Sequence, residues 1–350
     1  VDTAIIGLKA MPIVSVLMPT YNSGPYLEGA LKSILGQTFQ DFELVVIDDG
    51  STDSTLAFLE SISDARVKIV RNDRNIGLVS TLLKGLTHCG GRYIARMDHD
   101  DISFDDRFFK QVNYLDKHPE IDVLGGAIQF FGDEQPKSVH VFPGGHDEIR
   151  AGLLFYCTLA HPALMFRREL VDQGLFQYSD AYRHAEDYHL WSQLLRQAKS
   201  ANLDDCILMY RLHLKQISSG QSSKQYEVSR QVRKLMLEQA GVPFSDSDLV
   251  LHEQIILERD EPSWAYLNSV AEWFYKVEVS NHASGYWGEQ ALHKTFAMKC
   301  AQMLGRLEMK GYSKQASETL TAYIGDSGWQ PPSKVRLHMR QLRRLARRFI

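Results

Sequence analysis

The 350-residue chain is 44% hydrophobic and 23% charged, an ordinary globular composition with enough length for two or three cores. Its formal net charge of −4 argues against a general nucleic-acid binder, so no nucleic-acid partner is expected. No run reaches the length of a transmembrane helix, because the longest apolar stretch, residues 151–166, is broken by Thr158, His161 and Pro162.

Residues 1–10 read as a leader or cloning remnant outside the fold. No basic region precedes an apolar segment there, so a signal peptide is not expected and a cytoplasmic location is. Residues 13–18 form a short, uncharged, β-rich run, the pattern of a buried strand in a parallel sheet. The turn formers Pro19 to Gly24 follow, then a helix with Leu27, Ala30, Leu31, Ile34 and Leu35 at helical spacing. A second strand, 42–47, runs into Asp48-Asp49-Gly50-Ser51-Thr52-Asp53, and a helix through Leu56 and Leu59 comes next. A strand at 67–70, a helix at 76–88 closed by Gly90-Gly91, and a strand at 93–97 complete the alternation. Such repetition predicts an open, mostly parallel α/β sheet with helices on both faces. Ligands bind such sheets outside the carboxyl ends of the strands, where residues 19–24, 48–53 and 98–101 all fall. Neither the dinucleotide glycine fingerprint nor a P-loop is present, which argues against an NAD(P) oxidoreductase or a P-loop NTPase.

Asp98 and Asp100 leave the same side of an extended chain and repel each other unless a cation is near. One reading is a hard divalent ion, Mn²⁺ or Mg²⁺, shared with substrate phosphates. The other is an acidic loop that caps the next helix through Asp101 or Ser103. The motif alone favours the cap; its position beside Tyr21 and Asp49 favours the ion.

Beyond it a helix is expected at 107–117, ended by His118-Pro119. Strands are expected at 123–131, 139–142, 162–166 and 207–210, and a helix at 148–156. Glu186 and Asp187 stand at the start of a helix carrying Leu190, Trp191, Leu194 and Leu195, where acids complement the dipole. The cysteines Cys89, Cys157, Cys206 and Cys300 lack zinc or redox spacing and read as buried apolar residues of a reducing compartment. After Gln221 the pattern is helical throughout, as in Trp264, Leu267, Ala271 and Phe274. Residues 334–350 hold seven Lys or Arg and no acid, with an apolar stripe through Leu337, Leu342, Leu345, Ala346 and Phe349. This basic helix suits either the anionic inner face of a membrane or packing on the body with a solvated basic face.

The ordered set Pro19-Thr20-Tyr21-Asn22, Gln37-Thr38-Phe39, Val46 to Asp53, Arg74-Asn75-Ile76-Gly77-Leu78, Met97 to Asp101, Glu186-Asp187, and Tyr210 to His213 with Gln216-Ile217-Ser218 resembles the family 2 glycosyltransferases. The resemblance covers roughly residues 12–220 and implies the GT-A fold, a mostly parallel mixed sheet flanked by helices. It implies that residues 11–101 bind the nucleotide-sugar and 102–220 the acceptor; residues 221–350 form the helical C-terminal region.

The resemblance also implies roles. Pro19, Tyr21 and Asp49 would hold the base, with Asp49 meeting the uracil N–H of a UDP-sugar. Asp98 would face the ribose or sugar, Asp100 would bind the metal, and His213 would add a metal or diphosphate contact supported by Arg211. Asp187 would be the general base, and Glu186 would help place a sugar. His99 and Leu83 depart from the pattern, since a small residue and an asparagine are commoner there. His161-Pro162 matches a family feature, although His161 also reads as a satisfied core histidine. The implied reaction is inverting, metal-dependent sugar transfer to a glycan or lipid-linked acceptor hydroxyl, in cell-surface polysaccharide or lipopolysaccharide assembly. A catalytically inactive nucleotide-sugar-binding or scaffold protein is the alternative.

Overall fold

Seven residues, Val14–Thr20, form β1, and every one is buried. A strand covered on both faces and free of charge belongs in the middle of a parallel sheet. β1 pairs in parallel with β2 (Phe42–Asp48) on one side and β4 (Tyr93–Arg96) on the other, and β3 (Val67–Arg71) lies beyond β2. The computed structural model describes residues 11–132, 138–213, 222–259, 261 and 263–309. The expected leader 1–10, the Gln216-Ile217-Ser218 motif and the basic helix 334–350 lie outside them.

Helices α1 (Leu27–Leu35), α2 (Thr55–Glu60) and α3 (Leu78–Leu86) follow the first three strands. α1 buries Leu27, Ala30, Leu31 and Ile34, so its apolar stripe faces the core while Glu28 and Lys32 pair outside. α4 (Arg107–Lys117) covers the same core with Phe108, Val112 and Leu115. The second half of the sheet is mixed. β8 (Met165–Arg167) runs antiparallel between β4 and β6 (Val123–Phe131). β9 (Ser200–Arg211) is parallel to β6, and β5 (Ile102–Ser103) is antiparallel to β9. The order is β3-β2-β1-β4-β8-β6-β9-β5, with β7 (Ser138–His140) paired to β6 off that path.

Several expectations need correction. The strand expected at 162–166 is a 3-10 turn, His161–Ala163, followed by β8, because Pro162 suits the first turn of a helix better than a central ladder. The strand expected at 207–210 begins at Ser200; register shifts at Gly126 to Ile128 break the alternation that would have revealed it. The helix expected at 148–156 is α5 (His146–Gly152), the strand expected at 139–142 is β7, and α3 ends at Leu86 rather than at Gly90-Gly91. Gly91 instead lies under β1, where an added Cβ would sit 2.6 Å from the Ser15 nitrogen. Cys89 and Cys300 are buried, but Cys157 and Cys206 are only partly so.

The chain divides into two compact units. One comprises residues through Ile149 with Cys157–Val232; the other comprises Arg150–Tyr156 with residues from Arg233 onward. The first holds the sheet, α6 (Glu169–Asp172) and α7 (Glu186–Leu194). α8 (Ser222–Gln239) runs from it into the second, which continues with α9 (Asp246–Ile256), α10 (Trp264–Ser284) and α11 (Glu289–Met309). Ser245 and Asp248 form a reciprocal cap at the start of α9. Gly285, at φ 61°, ends α10, and Phe274 stacks on Phe296 of α11 at 4.2 Å between centroids. His252 joins this unit to its 150–156 segment. Its Nδ1 accepts the Trp273 indole N–H at 3.2 Å, so its Nε2–H donates to the Leu154 carbonyl at 2.9 Å. Among the described residues no helix is long and apolar enough to cross a membrane.

Candidate active site

The parallel strands deliver three polar clusters to one edge of the sheet. The Asp49 N–H donates to the Thr20 carbonyl at 2.8 Å, Asn72 N–H to Asp48 at 2.8 Å, and Met97 N–H to Leu17 at 3.1 Å. The ends of β1, β2, β3 and β4 are thereby laced together, and the turns that follow them are neighbours. The first two turns are also tied by side chains: Asn22 N–H donates to Ser51 Oγ, and Thr52 N–H to Asn22 Oδ1, each at 2.9 Å. Asn22 has φ 46°, a left-handed conformation that asparagine tolerates.

Pro19 is buried within β1 opposite Ile47, whereas Tyr21, just past the end of β1, is 42% exposed. Asp49 is buried, and its carboxylate accepts from Asn72 Nδ2 at 2.8 Å and from the N–H groups of Ile76 and Gly77 at 2.9 Å. An ionised carboxylate has about four acceptor positions. Asp49 therefore clamps the 72–77 loop and keeps capacity for one further donor. Gly50, at φ 71°, lets this loop close: a Cβ there would lie 2.6 Å from the Arg74 carbonyl carbon. Leu83 is exposed on α3.

After β4 the carboxylates of Asp98, Asp100 and Asp101 lie within 4.8 Å of one another, the one such group of three among the described residues. Asp98 pairs with the buried guanidinium of Arg96. Asp100 Oδ2 lies 3.0 Å from His213 Nε2. Asp101 is buried and accepts the Arg211 N–H at 2.8 Å. Burial, then repulsion from Asp98 and Asp100, pushes the Asp101 carboxyl well above the usual range. Its Oδ2 is buried without a hydrogen bond. The expected helix-capping role of Asp101 or Ser103 is not realised: α4 starts at Arg107 behind Asp106, Ser103 lies in β5, and Asp101 holds β9 instead. Oxygen donors this close, one of them an orphaned buried acceptor, fit a hard divalent cation. His213 fits beside them.

Arg211 at the end of β9 donates through Nε to the Asp100 carbonyl at 2.7 Å. Its guanidinium is sandwiched 4.6 Å from the Tyr26 ring and 4.3 Å from the Phe131 ring. Tyr26 also meets the His213 ring at 4.7 Å. The two-stranded pairing of β5 with β9 therefore brings Arg211 and His213 onto the acidic turn.

Glu186 and Asp187 open α7, as expected. Glu186 is buried and accepts the His184 N–H at 2.7 Å, bracing a non-glycine residue at φ 83°. Burial, then repulsion from Glu186, pushes the Asp187 carboxyl up to about 7, while the Tyr188 N–H and Arg96 pull it down. A carboxyl titrating there is suited to take a proton at neutral pH. His161 is a satisfied core histidine: its Nε2 lies 2.6 Å from the Tyr178 hydroxyl, and burial holds it neutral.

Two buried arginines were not read from the sequence. Arg96 ends β4 beside Asp98. Arg107 donates through Nη2 to the carbonyls of Arg96 at 2.8 Å and Leu164 at 3.1 Å, and through Nε to Gln111 at 3.0 Å, fixing the end of β4 against β8. Burial, then the Arg96 charge, brings its guanidinium down to about 9. The one available signal was an arginine two residues before a run of acids.

A family model described as Glycosyl transferase family 2 matches residues 15–175. An uncharacterized glycosyltransferase of Haemophilus influenzae is 34% identical over 238 residues, covering 65% of this chain and 74% of that protein. The O-antigen biosynthesis glycosyltransferase WbnJ of Escherichia coli is 31% identical over 221 residues, covering 60% of this chain and 84% of its own. Among solved structures, S. aureus TarS 1-349 superposes with a TM-score of 0.54 at 18% identity, over 90% of this chain and 88% of that one. Its complex with UDP-GlcNAc gives 0.53 at 19% identity with the same coverage. At that identity the likeness is one of fold.

Proposed function

The chain belongs to the family 2 glycosyltransferases, and on that premise we propose that it moves a sugar from a UDP-sugar to an acceptor hydroxyl with inversion, in cell-surface polysaccharide or lipopolysaccharide assembly. One observation carries the reading: the carboxylates of Asp98, Asp100 and Asp101 converge within 4.8 Å on the turn after β4, with His213 Nε2 3.0 Å from Asp100. Residues 11–101 form the donor half and 102–220 the acceptor half. Tyr21 lays its ring on the base, and Asp49, with one acceptor position left, takes the uracil N–H. Asp98 meets the ribose or sugar. The acceptor hydroxyl gives its proton to Asp187 as its oxygen bonds the anomeric carbon, and the bond to the diphosphate breaks with its electron pair leaving on UDP. Such a base typically contributes about 10²–10⁴-fold. Glu186 acts by holding the turn that aims Asp187. Asp100 and His213 would hold a divalent ion, Mn²⁺ or Mg²⁺, which when bound supplies positive charge beside the departing diphosphate. Arg211 holds both residues in register. A relative named for O-antigen biosynthesis supports the polysaccharide context. The location is proposed to be cytoplasmic, with residues 333–350 on an anionic membrane face; deleting them should reduce binding to anionic vesicles.

The test is calorimetric titration with UDP-, GDP- and ADP-sugars, each with Mn²⁺ and with chelator, followed by turnover assays. UDP-sugar binding that strengthens with Mn²⁺ supports the reading. Full turnover in chelator removes the metal role, and no affinity for any nucleotide-sugar removes the function.

A further inference from the structure

β4 has two faces. Tyr93 and Ala95, with Met97 beyond them, point into the main core, so Arg96 points to the opposite side. That side is closed by the His161–Ala163 turn, which packs on β4, by Tyr178, whose hydroxyl lies 2.6 Å from His161 Nε2, and by α7, whose Trp191 ring lies 6.1 Å from that of His161 and whose Asp187 Oδ2 lies 4.0 Å from Cys157 Sγ. Arg96 is 3% exposed, and its guanidinium pairs with Asp98. Its Nε is buried without a hydrogen-bond acceptor among the described residues. A buried arginine is ordinarily hydrogen-bonded, as Arg107 of α4 is to the Arg96 and Leu164 carbonyls and to Gln111. Arg96 is held almost entirely by charge. The groups facing Asp187 are Glu186 on its own helix, Tyr178, Cys157 and Arg96. Tyr178 and Cys157 are kept neutral by burial, and Glu186 repels; Arg96 is the one cation among these.

We propose that Arg96 is a positioning residue of the transfer reaction, a single buried guanidinium that grips the donor-side Asp98 directly and lends its charge to the acceptor-side base Asp187. This inference rests on the reading of Asp187 as the base. It means that the two halves of the site are joined electrostatically before any ligand arrives. The Asp98–Arg96 pair keeps Asp98 aimed, and the same charge keeps part of the Asp187 population ionised at neutral pH despite burial and Glu186. Arg107 supports this from behind by holding the Arg96 carbonyl, so the guanidinium of Arg96 is anchored at its backbone.

The experiment compares wild type with Arg96→Met, Arg96→Gln and Arg96→Lys in the full chain, using UDP-GlcNAc turnover with Mn²⁺ across pH. It also follows carbon-detected NMR titration of the Asp187 carboxyl, assigned through Asp187→Asn. Both neutral variants should move the acid limb of kcat/KM and the Asp187 titration upward by about one pH unit, a fall of about fivefold in the ionised base at pH 7. Arg96→Lys should restore both toward wild type. Either neutral variant, folded by circular dichroism, suffices for the test. An unmoved Asp187 titration in that variant overturns the inference, as does a limb that lysine shifts as far as methionine. If wild type turns over no donor while the titration still moves, the base reading fails and the link between Arg96 and Asp187 stands.

Discussion

Asp101 Oδ1 accepts the backbone N–H of Arg211 at 2.8 Å, joining residues 110 positions apart. With the β5–β9 pairing and the Arg211 Nε bond to the Asp100 carbonyl, it sets β9 against the acidic turn, where His213 meets Asp100. Asp101→Ala should leave the Arg211 amide without its partner, at a cost of about 1–3 kcal/mol. Asp101→Asn, whose side-chain oxygen can still accept, should cost less. Hydrogen exchange at the Arg211 amide checks this: protection should be lost in the alanine variant and kept in the asparagine one.

Asp187→Asn should lower kcat by about 10²–10⁴-fold while UDP affinity holds. It should also stabilise the protein. The folded carboxyl is raised to about 7 from an ordinary 3.8, so between those values the folded chain holds a proton that the unfolded chain has released. The stability this contributes is complete below 3.8 and lost as pH rises through about 7. Asparagine mimics the neutral form, so the variant should melt above wild type at pH 8. Equal melting temperatures would contradict the buried character of this group.

Gly50→Ala should destabilise by about 2 kcal/mol or more, since a left-handed backbone alone costs about 1–2 kcal/mol for an L-residue and the new Cβ would strike the Arg74 backbone. UDP affinity should fall with it, because the same loop supplies the donors that hold Asp49. Thermal melts and UDP titration on one preparation would separate the two effects.

The helical unit carries a pH response of opposite sign. Burial, then the Arg233 charge, holds His252 down to about 4 against an ordinary 6.5. Its folded form is neutral, with Nδ1 accepting from Trp273, and a proton there would oppose the indole N–H. Stability from this group is complete above 6.5 and lost as pH falls toward 4, by up to about 3 kcal/mol. His252→Gln should flatten the difference between urea midpoints at pH 7 and pH 4.5. A wild-type slope retained in the variant would assign the response elsewhere.

The first half of the sheet was legible because its strands are short, largely apolar runs closed by turn formers and α1 keeps one face wet. Val123–Phe131 and Arg107–Lys117 fall where periodicity placed them. β5 was not legible: two residues bear no period, and they become a strand only because β9 lies beside them. Ser200 to Cys206 hid the first half of β9, since Asp204 and Asp205 are exposed while the register slips opposite them. At the site, the acids were legible by position and kind, but their counter-ion was not. In the sequence the buried Arg96 differs from the exposed Arg92 four residues earlier in standing two residues before the acids, a signal that does not show its burial.

The pairing of Ile102–Ser103 with Leu208 and Met209 also bears on biosynthesis. The chain emerges from the ribosome in order, and β1 to β4 can assemble once the first hundred residues are out. The acidic turn stays open until the last strand arrives, because its edge partner and His213 are translated more than a hundred residues later. A nascent chain stalled before β9 would carry the parallel β1–β4 edge and an unfinished acidic turn.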